Sequence, residues 1–164
     1  MFNANKLVLS TSAQKIQETL HALGFESVVI EFQESTRTSA DAATRIGCQI
    51  GQIVKSLIFR GQISGKPVLV LTSGANRVDE SRISRYTGES IERAEAEFVR
   101  ISTGYAIGGV PPVGHIQPLE TYLDEDLLLY RKIWAAAGTP NAVFEMTPAE
   151  LERMTSGKVI RVKT

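Results

Sequence analysis

Lys55 is the residue whose position in this chain most strongly suggests chemistry. It lies in the run 52–59, which alternates as a β-strand does. Three apolar residues share its face of that strand: Ile53, Leu57 and Phe59. An ammonium group among apolar neighbours is costly, because desolvation disfavours its charged form. A cavity that admits an anionic or carbonyl-bearing ligand would relieve this cost. The alternatives are a lysine that extends its head to solvent, or one that protects an edge strand from aggregation.

A glycine- and proline-rich segment, Gly-Gly-Val-Pro-Pro-Val-Gly-His at 108–115, is the second feature with chemical potential. Its glycines permit close backbone approach, and its prolines, which include Pro112, stiffen the rest. The backbone amides of Gly108, Gly109 and Val110 are therefore candidate donors to a ligand. The segment has neither the dinucleotide-binding glycine pattern nor the lysine and serine of a P-loop. From these residues alone, a structural turn is favoured over a binding loop.

His115 ends that segment, and its residue type admits acid–base or metal chemistry. The chain has 2 histidines and 1 cysteine, and no carboxylate pair at ligand spacing, so we predict no catalytic zinc site. A serine triad is also poorly supported, because no Gly-x-Ser-x-Gly motif is present. On the residues alone, His115 is interpreted as a loop histidine that hydrogen-bonds backbone.

Length and composition limit the classes that remain. A chain of 164 residues fits one domain over 1–164 and can bury a core without disulfides or metals. Its 18 basic and 18 acidic residues balance, which argues against a DNA-coating protein but allows a small basic rim around a pocket. The single cysteine, Cys48, excludes an internal disulfide. Without a signal peptide or an apolar membrane span, a cytoplasmic protein with no membrane partner is expected.

The elements that must position these residues are predicted from caps and periodicity. Helices are predicted over 12–23, from 38 or 39 to 46, from 79 to 88, over 92–101 and from Thr147 onward. Strands are predicted over 28–32, 52–59, 68–71, 128–136, 142–146 and 158–162. The acidic set at 124–126 is interpreted as a helix N-terminal charge cluster, and Trp134 as a core residue. Two short turns between adjacent strands favour an α+β domain with a mixed or antiparallel sheet over a doubly wound parallel fold.

Three segments together resemble the YbaK/ProX family of freestanding aminoacyl-tRNA editing domains, which are related to the insertion domain of bacterial prolyl-tRNA synthetases. The segments are Thr-Ser-Ala-Asp-Ala-Ala at 38–43, Gln-Ile-Val-Lys-Ser-Leu-Ile-Phe at 52–59, and Ser-Thr-Gly-Tyr-Ala-Ile-Gly-Gly-Val-Pro-Pro-Val-Gly at 102–114. The resemblance covers nearly the full chain in order and spacing. It implies a barrel-like sheet with surrounding helices.

The resemblance also implies site residues and an activity. It implies hydrolysis of the ester bond in a mischarged tRNA, without metal or other cofactor, with Lys55 and Gly108 as the catalytic residues. The substrate-binding residues it implies are Ser56, Gly109, Val110, Pro112, His115, Phe32 and Gly138. The partners it implies are the acceptor end of the tRNA and, in addition, an aminoacyl-tRNA synthetase.

The chain departs from the family pattern in the predicted amino-acid pocket. Phe32 stands where family members often carry tyrosine, and Ser56 where threonine is common. The residues at 137–141 replace a frequent Gly-Gly-x-x-Gly turn. The main hypothesis is a trans-acting aminoacyl-tRNA deacylase. The alternatives are a non-catalytic protein that binds an aminoacyl-adenosine or tRNA end or docks on a synthetase, and a small-molecule ester or amide hydrolase.

Overall fold

Eight strands form one mixed β-sheet, accompanied by five α-helices, in the computed structural model, which describes residues 8–34 and 36–164. The helices are α1 (Thr11–Ala22), α2 (Ser39–Ile46), α3 (Glu80–Thr87), α4 (Ala96–Thr103) and α5 (Pro148–Thr155). The strands are β1 (Val29–Glu31), β2 (Ile53–Gly61), β3 (Pro67–Ser73), β4 (Ile91–Arg93), β5 (Glu120–Asp124), β6 (Ile133–Ala136), β7 (Ala142–Met146) and β8 (Lys158–Ile160). Two 3₁₀ segments, Ile50–Gln52 and Glu125–Leu129, precede β2 and follow β5.

The sheet mixes parallel and antiparallel pairs, which confirms the predicted α+β class. Its strand order is β1-β7-β6-β2-β3-β5-β8, and β4 pairs with β2 beside this path. The pairs β2–β6, β3–β5 and β5–β8 are parallel, and the other pairs are antiparallel. Within the described residues β1 and β8 are two separate ends of the order, so the sheet is open where a barrel-like one was expected.

Local capping signals in the sequence place most helix ends correctly. The side chains of Thr38, Asp79 and Thr147 accept hydrogen bonds from backbone N–H groups in the first turns of α2, α3 and α5. Gly47 and Gly88 end α2 and α3 with φ of 84° and 83°, a left-handed conformation that glycine adopts without strain. These five predictions are confirmed.

Three segments differ from the prediction, each for its own reason. Residues 91–93 form β4 against β2, so the helix predicted from 92 begins only at Ala96. The strand predicted from 128 begins at Ile133, because the preceding apolar run is a 3₁₀ segment capped by Asp124. Strand β5 was not predicted, since it holds only three residues between two acidic ones.

Strand β3 is buried on both faces and organises the core. Leu69 and Leu71 point into a large cluster with helix α1 and strand β7, while Val68 and Val70 point into a second cluster with helix α3. All four side chains are 0–3% exposed. The sequence of a strand that is buried on both faces is a continuous run of apolar residues, as it is at 68–71. None of the described helices combines the length and apolar character needed to cross a membrane.

We predict that Leu69→Ala lowers the free energy of unfolding by about 2–5 kcal/mol, because it opens a cavity beneath the central strand. Leu129→Ala is the matched control, since Leu129 is 78% exposed, and its expected change is within about 0.5 kcal/mol. Urea unfolding followed by circular dichroism measures both variants. Similar unfolding midpoints for the two would contradict this account of the core.

Candidate active site

A cavity of about 510 Å³ opens where strands β2, β6 and β7 meet helix α2, Ile107 and the glycine–proline segment 108–115. Apolar side chains form much of its wall, including Ile53, Leu57, Val110, Trp134 and Val143. Its volume lies within the range of small-molecule sites, about 300–1,000 Å³. Its described lining contains two basic residues, Arg37 and Lys55, and no acidic one. The cavity therefore suits a ligand that carries negative charge or carbonyl groups.

Strand β2 brings Lys55 to the cavity at a fork in the sheet. On one edge β2 pairs with β3 from Val54 to Arg60. On the other edge β6 pairs only with Ile53 and Val54, and β4 joins only from Phe59 onward. Strand β2 therefore pairs on both edges near its two ends, whereas the stretch that contains Lys55 pairs on one edge only. Between β6 and β4 this edge of β2 is left open by the described strands, and residues 55–57 line the cavity there.

The Lys55 ammonium is half-buried and is held by a backbone carbonyl. Its Nζ donates a hydrogen bond to the Asn76 carbonyl oxygen at 2.8 Å. No carboxylate of the described residues lies within ion-pair distance of it. Burial, and then the charge of Arg93, lower the pKa of Lys55, while the charge of Asp124 opposes them. An ammonium has three donors, so this group can hydrogen-bond a ligand and keep its anchor.

The glycine–proline segment contributes two residues with unpaired amides to the lining of the same cavity. The Gly109 N–H donates to the Ala106 carbonyl at 3.0 Å, which closes a tight turn. Gly108 occupies the third position of this turn with φ of 89°, a conformation that favours glycine. Within the described residues, the N–H groups of Gly108 and Val110 have no hydrogen-bond acceptor, and both residues line the cavity. The amide of Gly109 is committed to the turn, so it is not free to serve as the donor that was predicted.

Gly109 instead docks the segment on the turn between β6 and β7. The Gly138 N–H donates to the Gly109 carbonyl at 2.9 Å. A Cβ on Gly109 would lie 2.9 Å from the Thr139 Cα and 3.0 Å from the Gly138 carbonyl oxygen, so only glycine fits this contact. Pro140 from the same turn lines the cavity, while Gly138 itself lies outside the lining. Gly109 and Gly138 thus hold two parts of the wall together.

Ser56 and Trp134 add a polar and an aromatic group to the wall. The Ser56 Oγ is buried and has no hydrogen-bond partner in the part of the chain that the structure describes. A buried hydroxyl without a partner is unusual in proteins, and Ser56 belongs to the cavity lining. Trp134 is half-buried and packs with Ile53, as the prediction of a core residue requires, yet it also lines the cavity.

Three further residues predicted to contact substrate lie outside the lining. The Phe32 ring is stacked by Arg45, whose guanidinium carbon lies 5.7 Å from the ring centroid. Pro112, which belongs to the glycine–proline segment, is buried. The His115 Nε2 lies 2.6 Å from the Pro111 carbonyl oxygen, so this ring binds backbone. Their contacts with a substrate stay predictions.

Sequence reasoning did not identify the contribution of helix α2 and the 3₁₀ segment to the wall. Thr38 and Ser39 at the start of α2, together with Arg37, face the cavity, as does Gly74 after β3. The resemblance already included the residues at 38–43. The resemblance of this motif to the family was therefore the signal that could have identified these wall residues, because periodicity alone indicates only a helix cap.

Comparison with known proteins identifies a matching family, a similar solved structure and curated relatives. The family described as "Aminoacyl-tRNA editing domain" matches residues 33–154. A crystal structure described as "a putative trans-editing enzyme for prolyl tRNA synthetase" superposes with a TM-score of 0.90 at 49% identity, covering 95% of this chain and 99% of that one. Among curated relatives, "Uncharacterized protein YwhH" of Bacillus subtilis is 34% identical over 82% of this chain and 85% of its own length. The "Putative Cys-tRNA(Pro)/Cys-tRNA(Cys) deacylase EbsC" of Enterococcus faecalis is 25% identical over 94% and 93%.

We predict that His115 makes folding stability depend on pH. Burial lowers the pKa of His115 below its usual 6.5, and the bond to Pro111 opposes this only in part. Because the unfolded state then binds the proton more readily, the stabilisation is present above pH 6.5 and is lost as pH falls from 6.5 through the lowered folded-state pKa. Urea unfolding at about pH 7.5 and about pH 5.5 should show a smaller difference for His115→Gln than for the wild type. Equal differences in the two proteins would exclude this contribution.

Proposed function

The chain belongs to the aminoacyl-tRNA editing domain family, and we propose that it is a trans-acting deacylase that hydrolyses the ester bond of a mischarged tRNA. One observation carries the proposal: Lys55, Gly108 and Val110 line the same cavity, and the amides of Gly108 and Val110 have no hydrogen-bond acceptor within the described residues. The cavity thus gathers hydrogen-bond donors without an acidic residue in its described lining. This arrangement suits a carbonyl that becomes an oxyanion.

The reaction needs donors more than it needs a strong base. Water adds to the ester carbonyl carbon and loses one proton to solvent, which forms a tetrahedral intermediate with a negatively charged oxygen. That intermediate collapses by breaking the bond to the ribose oxygen, which takes up a proton, and the amino acid leaves as a carboxylate. Lys55, Gly108 and Val110 would donate to the developing oxyanion, and each such donor contributes about 2.7–4 kcal/mol in well-studied enzymes. Ser56 would supply a further hydrogen bond from the wall.

The size and charge of the cavity support an acceptor-end substrate. A volume of about 510 Å³ accommodates an aminoacyl group with part of the terminal adenosine. Arg37 is exposed at the mouth, where a nucleotide phosphate would follow the adenosine. Only this end must enter, so a neutral protein suffices and binding should weaken with salt. A trans-acting role places the protein in the cytoplasm, and delivery by a synthetase is part of the proposal.

We also propose that no metal takes part. The described residues contain no group of three His, Cys, Asp or Glu side chains that could hold one. The donors that the cavity does present are an ammonium and two backbone amides, which stabilise an oxyanion directly.

We predict that Lys55→Ala lowers deacylation by at least about 100-fold, because the cavity loses its positive donor. Lys132→Ala is the control, since Lys132 pairs with Glu145 at an exposed site outside the lining. The measurement is release of radiolabelled amino acid from a panel of mischarged tRNAs, with folding checked by circular dichroism. Near-normal turnover by Lys55→Ala would refute the role of this lysine.

The same panel separates the alternatives. Binding of aminoacyl-tRNA without release of the amino acid would favour a non-catalytic binding protein. Turnover of free aminoacyl esters, with none of acylated tRNA, would favour a small-molecule esterase.

We predict that Gly108→Ala lowers deacylation by about 10-fold or more, because the turn must leave its left-handed conformation and the two cavity amides reorient. Gly24→Ala is a matched control: its φ is 86° against 89° for Gly108, and neither added Cβ meets an atom closer than 3.8 Å. Both variants should lose about 1–2 kcal/mol of stability from backbone strain. Deacylation rates measured beside urea unfolding distinguish them, and equal rates in the two variants would contradict the assignment.

A further inference from the structure

The carbonyl that anchors Lys55 belongs to a loop that two carboxylates hold in place. We propose that Asn76 is a positioning residue for deacylation: its side chain ties this loop to Asp124 and Asp126, and its backbone carbonyl fixes the Lys55 ammonium at the cavity wall. The inference rests on the proposed function, because it assigns Asn76 to the same site. Asn76 lies outside the cavity lining, so it acts through Lys55.

The contacts form one continuous chain of hydrogen bonds. The Lys55 Nζ donates to the Asn76 carbonyl at 2.8 Å. The Asn76 Nδ2 donates to Asp124 Oδ2 and to Asp126 Oδ2, each at 2.8 Å. Lys163 reaches the same Asp126 oxygen at 2.8 Å. Both amide hydrogens of Asn76 are therefore engaged by carboxylates, which are strong acceptors.

Asp124 has the most firmly determined position among the residues of this hydrogen-bond network. It is 1% exposed, and its Oδ2 also accepts from Thr72 Oγ1 at 3.0 Å and from the Ser73 N–H at 2.9 Å. Its Oδ1 accepts from the Asp126 N–H at 2.9 Å. A buried carboxylate with this many donors has one well-determined position, because breaking any bond leaves a polar group unsatisfied.

Sheet topology explains why these residues meet. Strands β3 and β5 are parallel neighbours, so their carboxyl ends lie at the same edge of the sheet. Asp124 ends β5, and Asn76 follows β3 by three residues. Strand β2 runs antiparallel to β3, which places Lys55 opposite Thr72 near that edge. The lysine and its support are therefore set by the pairing of three strands.

A fixed position of the Asn76 carbonyl matters for the placement of the ammonium, because the Lys55 side chain is long and flexible. Four charged groups act on this part of the site: Arg93 and Asp124 on Lys55 directly, and Asp126 with Lys163 through Asn76. Without the Asn76 side chain the loop keeps its backbone bonds, including the one from the Asn76 N–H to the Ser73 carbonyl at 2.9 Å, but it loses both ties to the carboxylates. The ammonium would then sample positions from which it cannot meet the oxyanion, and misplacement of about 1 Å can cost about 100-fold in rate.

A double-mutant cycle with the full-length protein tests whether Asn76 acts through Lys55. We expect Asn76→Ala to lower kcat by about 10–100-fold with KM changed by less than about 2-fold. In the Lys55→Ala background the same substitution should add almost nothing. Thr147→Ala, which removes the cap of α5 outside the cavity lining, controls for a loss of stability and should leave kcat unchanged. Additive losses in the cycle would overturn the proposal.

A second measurement does not require turnover. In protein labelled with ¹³C-lysine, the Lys55 signal is assigned by its absence from Lys55→Arg and followed through a pH titration. We expect its midpoint to fall in Asn76→Ala, because the ammonium loses a fixed acceptor, and to be unchanged in Thr147→Ala. An unchanged midpoint in Asn76→Ala overturns the positioning role. If the wild type deacylates no tRNA, the proposed function fails, and this titration still decides whether Asn76 holds Lys55.

Discussion

The cost of withdrawing the Lys55 ammonium from water shapes the rest of this site. Lys55 loses hydration where β2 meets the cavity, and its pKa is lowered mainly by that burial. The charged form persists only if oriented acceptors replace water. The Asn76 carbonyl supplies one, and Asp124 supplies a favourable charge without forming an ion pair. The remaining donors of the ammonium are thereby available to a ligand.

Mixed strand pairing makes this compensation possible. A purely antiparallel sheet of hairpins would send neighbouring strand ends to opposite edges, whereas the parallel pair β3–β5 brings two carboxyl ends together. The same mixture opens the cavity, since parallel β6 leaves β2 after Val54 and antiparallel β4 joins it only at Phe59. The fork exposes one edge of β2 to a ligand while β3 covers the other.

Features with a local cause could be predicted from the sequence, and those with a distant cause could not. Helix caps and glycine stops depend on residues within one turn, so Thr38 and Gly88 identified their helix ends. Lys55 was conspicuous because its strand neighbours are apolar. The acidic set at 124–126 was correctly placed at a helical start, since Asp124 caps the 3₁₀ segment. Its bond to Asn76, 48 residues away, depends on which strands pair, and no pattern in the sequence records that pairing.

The chemistry of the cavity lining also limits which ligand groups the cavity can distinguish. Its described lining offers an ammonium, a guanidinium, amides, hydroxyls and apolar surface, but no carboxylate. A second cation that entered beside Lys55 would lose hydration and gain repulsion, so under the proposed function charge would disfavour acyl groups with basic side chains. Among uncharged groups only shape remains, and one methylene changes binding by about 1–3 kcal/mol. Under the proposed function, selectivity among uncharged acyl groups would therefore depend on how closely the wall fits them. The contact between Gly109 and the 138–141 turn, which only glycine allows, sets part of that fit.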